Sequence, residues 1–142
     1  MKLATTTADF RGYCNNNAAA QVKLFEPTGF KYLDYSFYNI IYPGSPYLAP
    51  GDGWKNEVQS ALKAADQLGM VFVQAHAPDG EHFLAGEARD ALILATNRSI
   101  EACSMLGIPG TVVHAAQHPD PNATPREFID INIEFYQALY EA

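Results

Sequence analysis

Hydrophobic positions along the chain fall into two alternating patterns. Leu3–Thr6, Phe30–Ser36, Met70–Ala75 and Gly110–His114 are short β-prone runs bounded by glycine, proline or polar residues, and they predict four strands. Between Trp54 and Leu68, the residues Val58, Ala61, Leu62, Ala65 and Leu68 recur at i, i+3, i+4 spacing, which predicts a helix packed along one stripe. Helices are also expected over Ala18–Phe25 and Ala85–Leu106, and Gly29, Gly69 and Gly107 stand where helices should stop. A fourth helix opens at Thr124-Pro125-Arg126-Glu127, where a capping threonine, a proline at the first helical position and a glutamate three residues after the cap coincide.

Strand, loop, helix and glycine thus repeat four times. That order predicts an α/β fold with a parallel sheet and right-handed crossovers, and the absence of a compositional break predicts one domain over residues 1–142. Two architectures satisfy the pattern. One is an open doubly wound sheet. The other is four βα units of a (β/α)8 barrel, whose usual length of about 250 residues is close to twice that of this chain.

Composition narrows the partners. A formal charge of −7, with nine Lys and Arg scattered along 142 residues, opposes binding to nucleic acid or to an anionic membrane surface. The amino terminus has no secretory-type apolar segment and no stretch reaches membrane-spanning length, so a cytoplasmic location is expected. Cys14 and Cys103, far apart and outside any clustered motif, are expected to be reduced thiols.

The chemistry-bearing residues stand at strand ends. His76 and His114 each close an apolar run, Met70–His76 and Gly110–His114. Strand C-termini are where a parallel barrel builds its chemistry, and imidazole serves there as metal ligand or general acid and base. The alternative is that each ring bonds a neighbouring backbone group and fills space at the rim. Asp34, late in the second strand, is a further pocket candidate or a turn acceptor. His82 and His118 are expected in loops as solvated or lid residues, and Asp9, Asp79, Glu81 and Asp120 as solvated loop charges.

Gly29-Phe30-Lys31-Tyr32-Leu33-Asp34, Val73-Gln74-Ala75-His76-Ala77-Pro78 and Leu106-Gly107-Ile108-Pro109-Gly110-Thr111-Val112-Val113-His114, in that order and spacing, resemble the N-terminal part of the xylose isomerase-like TIM barrels. That family includes sugar-phosphate isomerases and epimerases, inosose dehydratase-like proteins and the endonuclease IV type of repair nuclease. The resemblance spans essentially the whole chain and implies a parallel (β/α)4 half of a TIM barrel. It implies a divalent metal, Mn, Mg or Zn, at the barrel mouth and proton transfer next to a sugar carbonyl, with a small sugar or sugar phosphate as partner. His76 and His114 would then line the substrate pocket or ligate the metal. The family's metal carboxylates lie mostly on later strands, so this chain would supply only part of the site.

The long segment Ser36–Trp54, rich in aromatics, proline and glycine, suits a sugar-binding wall, with Phe37, Tyr38 and Trp54 as the leading residues; the alternative is a loop packed under its own aromatics. The last helix carries Phe128, Ile129, Ile131, Ile133, Phe135, Tyr136, Leu139 and Tyr140 over more than one face, which suggests a second buried contact beyond the sheet. A half-barrel also leaves its first and fourth strands as free edges, so pairing with a second copy or with a C-terminal half is expected. Two rival functions follow: a non-catalytic half-barrel that self-associates through its edges, and an endonuclease IV-like fragment, which the acidic balance disfavours.

Overall fold

In the computed structural model, which describes residues 3–80, 85–116, 118 and 120–140, the four apolar runs pair into one sheet. Its strands are β1 (Ala4–Thr6), β2 (Tyr32–Ser36), β3 (Val71–His76) and β4 (Thr111–Val112), in the order β1-β2-β3-β4 with every neighbouring pair parallel. Strands laid down in chain order show no reversal of the kind that defines a doubly wound sheet. All four C-terminal ends therefore share one rim.

The helices are α1 (Ala18–Leu24), α2 (Trp54–Gln67), α3 (Glu87–Leu106) and α4 (Pro125–Tyr140). Each packs on the next in sequence, so they follow the strands along one side of the sheet. Two short 3-10 helices, Thr7–Tyr13 and Glu26–Thr28, interrupt what periodicity alone reads as loop. The fourth strand is shorter than its apolar run, with only Thr111 and Val112 paired.

Both long inner helices end for the same reason. Gly69 and Gly107 adopt left-handed backbone, with φ of 62° and 68°. That turn lets Met70 N–H reach Ala65 O at 2.9 Å and Ile108 N–H reach Cys103 O at 2.9 Å. These bonds satisfy carbonyls that the helix itself leaves open, and glycine meets the positive φ without a Cβ penalty. The amino end of α4 forms the expected capping box: Thr124 N–H donates to Glu127 Oε2 at 2.8 Å, and Glu127 N–H donates to Thr124 Oγ1 at 3.3 Å.

The core lies between sheet and helices, with Leu33, Tyr35, Phe72 and Ala75 packed against Val22, Val58, Ala61, Ala65, Ala102 and Leu106. An irregularity in β3 makes this possible. Leu33 pairs with Phe72 but Asp34 pairs with Gln74, so Val73 is an extra residue that shifts the alternation. Phe72 and Ala75 both turn inward, and Gln74 and His76 turn outward.

The outward face carries Asp34, Ser36, Gln74, His76 and Val112, and among the described residues no helix covers it. Val71 is 53% exposed there and Val112 36%. The near-continuous apolar character of Met70–Ala75 predicts a strand covered on both faces; instead, the helices take one side only. Cys14 and Cys103 are free thiols, and burial pushes Cys103 up to about 11.

Two polar side chains tie loops to this frame. Arg98 on α3 donates to Tyr47 O at 2.9 Å, Ala49 O at 2.8 Å and Gly51 O at 3.3 Å, gathering three carbonyls of the β2–α2 loop under one guanidinium. Asn132 on α4 is buried and holds the segment after β4: its Oδ1 accepts from Ala116 N–H at 2.8 Å, and its Nδ2 donates to Phe128 O at 2.9 Å. Of the apolar residues on α4, Phe135 enters the interior, whereas Ile129, Ile133 and Tyr140 are exposed.

Asn132→Ala is expected to leave Ala116 N–H buried without a partner and to lower the unfolding free energy by about 1–3 kcal/mol. The urea midpoint measures this, with an unchanged denaturant slope showing that the fold persists.

Candidate active site at the C-terminal rim

Parallel pairing places Ser36 opposite His76 and His76 opposite Val112, so the ends of β2, β3 and β4 stand level. Backbone bonds continue this alignment past the strands. Phe37 N–H donates to His76 O at 2.9 Å and Ala77 N–H to Val112 O at 2.8 Å. Tyr38 and His114, each just beyond its strand, are thereby brought to the same rim as His76.

Four side chains meet there in two hydrogen-bonded pairs. In the first, His76 Nδ1 lies 2.8 Å from Asp34 Oδ2, and Gln74 Nε2 donates to the same oxygen at 2.9 Å. Asp34 is only 7% exposed, and its Oδ1 is buried without a hydrogen-bond partner. A carboxylate so withdrawn from water is held by the donors that remain to it. In the second pair, Tyr38 Oη and His114 Nε2 are 2.9 Å apart.

The two pairs face one another. The His76 and His114 rings are stacked, with centroids 5.6 Å apart and planes inclined by 16°, and the Tyr38 ring lies 6.1 Å from His76 and 5.5 Å from His114. A carboxylate accepts and does not donate, so Asp34 selects the His76 tautomer with hydrogen on Nδ1. Nε2 is left as the free basic nitrogen, directed away from the carboxylate.

The expected site residues separate accordingly. His76, His114, Asp34 and Tyr38 are brought together. Phe37 and Trp54 are not: they are 0% and 1% exposed and belong to the core, where Tyr35, Phe37, Tyr47 and Trp54 touch in series through tilted and edge-on contacts at 4.6, 6.0 and 5.7 Å. The long loop is packed under its own aromatics, and Tyr38 is the member of the expected wall that reaches the histidines. Burial pushes the Tyr35 and Tyr47 phenols upward, which keeps them protonated core groups.

Gln74 is the site residue that sequence reasoning missed. Its signal is a polar amide inside an otherwise apolar strand. Among the loop residues, His118 is half-buried and its Nδ1 accepts from Asp120 N–H at 3.1 Å, while Asp9, Asp79 and Asp120 are exposed. Glu81 and His82 lie outside the described residues.

Several of the donors a divalent metal would use are bonded to one another in this cluster, while Asp34 Oδ1 and His76 Nε2 are not. Asp34 Oδ2 is taken by His76 and Gln74, His114 Nε2 by Tyr38, and among the described residues no group of three or more His, Cys, Asp or Glu is arranged to hold an ion. The residues present do not by themselves form a metal cage.

The Asp34 contact predicts a measurable tautomer. With its imidazole neutral, His76 is expected to carry hydrogen on Nδ1 in long-range proton–nitrogen spectra, and Asp34→Ala to release that preference. A wild-type ring protonated on Nε2 would contradict the pairing.

No family model matches the chain, and a search of the curated proteins finds no match.

Proposed function

We propose that this rim performs proton transfer next to a sugar carbonyl, as in a sugar or sugar-phosphate isomerase or epimerase, with the chain acting as a (β/α)4 half of a TIM barrel and supplying part of the site. The observation that supports this reading is the juxtaposition of the Asp34–His76 and Tyr38–His114 pairs across stacked rings 5.6 Å apart. Sequential parallel strands with helices on one side, and an open opposite face, are what half a barrel requires.

The chemistry follows from what each group can hold. His76 Nε2, its ring fixed by Asp34, removes the proton from the carbon beside the carbonyl. The Tyr38 hydroxyl donates to the carbonyl oxygen as charge develops, and His114 Nε2 stands ready to share that proton. Return of the carbon-bound proton to the former carbonyl carbon, with the other enediol hydroxyl giving up its proton to restore Tyr38, interconverts aldose and ketose. Return to the opposite face of the carbon that lost it epimerises that carbon and needs a second base from beyond this face. A divalent ion of the Mn, Mg or Zn kind would require ligands from further βα units.

The open face favours association as well. Val71 and Val112 are exposed beside the site, and among the described residues β1 and β4 each have one unpaired edge. A second copy closing the barrel would pair these edges and cover that face. A half-barrel that associates without catalysing anything is the second reading, and it rests on the same exposed residues.

Two measurements test these statements. Exchange of the α-proton of ketoses and aldoses with deuterated water, with and without added Mn, Mg or Zn ions, is expected to be accelerated by the protein and reduced about 100-fold or more in His76→Ala. No exchange above buffer would overturn the catalytic reading. Sedimentation at micromolar concentration is expected to show a dimer, and a stable monomer would overturn self-association.

A further inference from the structure

One cavity lies apart from the histidines. It is bordered by β2, α1, α2, the segment after β1 and the β2–α2 loop, has a volume of about 30 Å³, and counts Gln21, Tyr35, Tyr47 and Glu57 among its lining. None of Asp34, Tyr38, Gln74, His76 and His114 borders it. The space admits about two water-sized guests, and a sugar does not fit.

Polar side chains stand in this wall without partners. Gln21 is 6% exposed, between the buried Ala18 and Val22 on α1, and its side-chain amide makes no hydrogen bond among the described residues. Tyr47 is 1% exposed, and its hydroxyl, beside that of Tyr35, has no well-formed hydrogen-bond partner. Polar groups withdrawn from water in this way are costly unless a guest meets them.

Glu57 adds a charge. It lies in the first turn of α2, half-buried beside Val58, and is in no ion pair among the described residues. Burial pushes its carboxyl upward, and no cation holds it down. Arg11 also reaches the cavity, yet it makes no ion pair with Glu57 and does not lower that carboxyl. An ionised carboxylate drawn out of water is stabilised when a positive charge meets it.

We infer that this cavity binds a monovalent cation of the sodium, potassium or ammonium kind, held by the Glu57 carboxylate and the Gln21 amide oxygen. Hard cations take oxygen ligands, and one carboxylate balances one positive charge, whereas a divalent ion in an oxygen cage usually draws on several carboxylates. Ammonium donates N–H to the same oxygens. Gln21 belongs to α1 and Glu57 to α2, so the ion ties these two helices together beneath the loops of the rim. This site stands apart from the sugar-handling role proposed for His76 and His114.

The test is thermal melting of the full chain at neutral pH and about 0.15 M ionic strength in sodium, potassium, ammonium or choline chloride, choline being too large for the cavity. At least one of the three small cations is expected to raise the melting temperature by about 2 °C or more over choline. The same cation should shift the Gln21 side-chain amide resonances along a saturable curve. Glu57→Gln is expected to lose both responses, and to melt in choline chloride no lower than the wild type, since it no longer holds an unpaired charge there. Gln21 resonances unmoved by all three cations in the wild-type chain would overturn the inference and leave water as the guest, whether or not the variant folds. A cation response that survives in Glu57→Gln would place the ion elsewhere and overturn it equally.

Discussion

Parallel backbone pairing along Tyr32–Ser36, Val71–His76 and Thr111–Val112 sets the level at which every outward side chain stands, and the site exists because of that level. The sheet offers one face to the helices and gains its stability there, through burial of Leu33, Tyr35, Phe72 and Ala75. The other face is released from packing duty. Asp34, Gln74 and His76 can then be polar neighbours on adjacent strands without each facing an apolar partner. The extra residue at Val73 sustains both roles, since without it Gln74 would fall on the same face as Phe72.

A buried carboxylate is the cost of this arrangement. Asp34 sits in the middle of β2, nearly shielded from water, with one oxygen doubly hydrogen-bonded and the other without a partner. What the aspartate does is hold the ring of His76 through Nδ1, which fixes its tautomer and orientation and leaves Nε2 free of that bond. Tyr38 and His114 constrain each other in the same manner from the neighbouring strand ends.

Much of this was legible in the residues themselves. Strand and helix positions follow from apolar runs and from glycines at 29, 69 and 107, and the Thr124–Glu127 cap is a local motif that needs no tertiary context. The meeting of His76 and His114 follows from strand ends in a parallel order. The aromatics misled because a loop tryptophan and a core tryptophan look alike by type. Period-two spacing makes Phe37 the continuation of Tyr35 on the core face, and Trp54 leads the Val58, Ala61, Ala65 stripe at helical spacing. Which face of β3 is covered was not legible, because the Val73 irregularity shifts the alternation of that strand.

The β2–α2 loop is gripped at both ends, by the Phe37 bond to His76 at its start and by Arg98 on the carbonyls of Tyr47, Ala49 and Gly51 near its finish. Between those grips, Tyr42, Pro43 and Gly44 lie open to solvent. Lengthening a tip whose stems are already pinned adds little closure entropy. Residues 42–44 are thus a place where added chain can be accommodated while the scaffold beneath stays undisturbed.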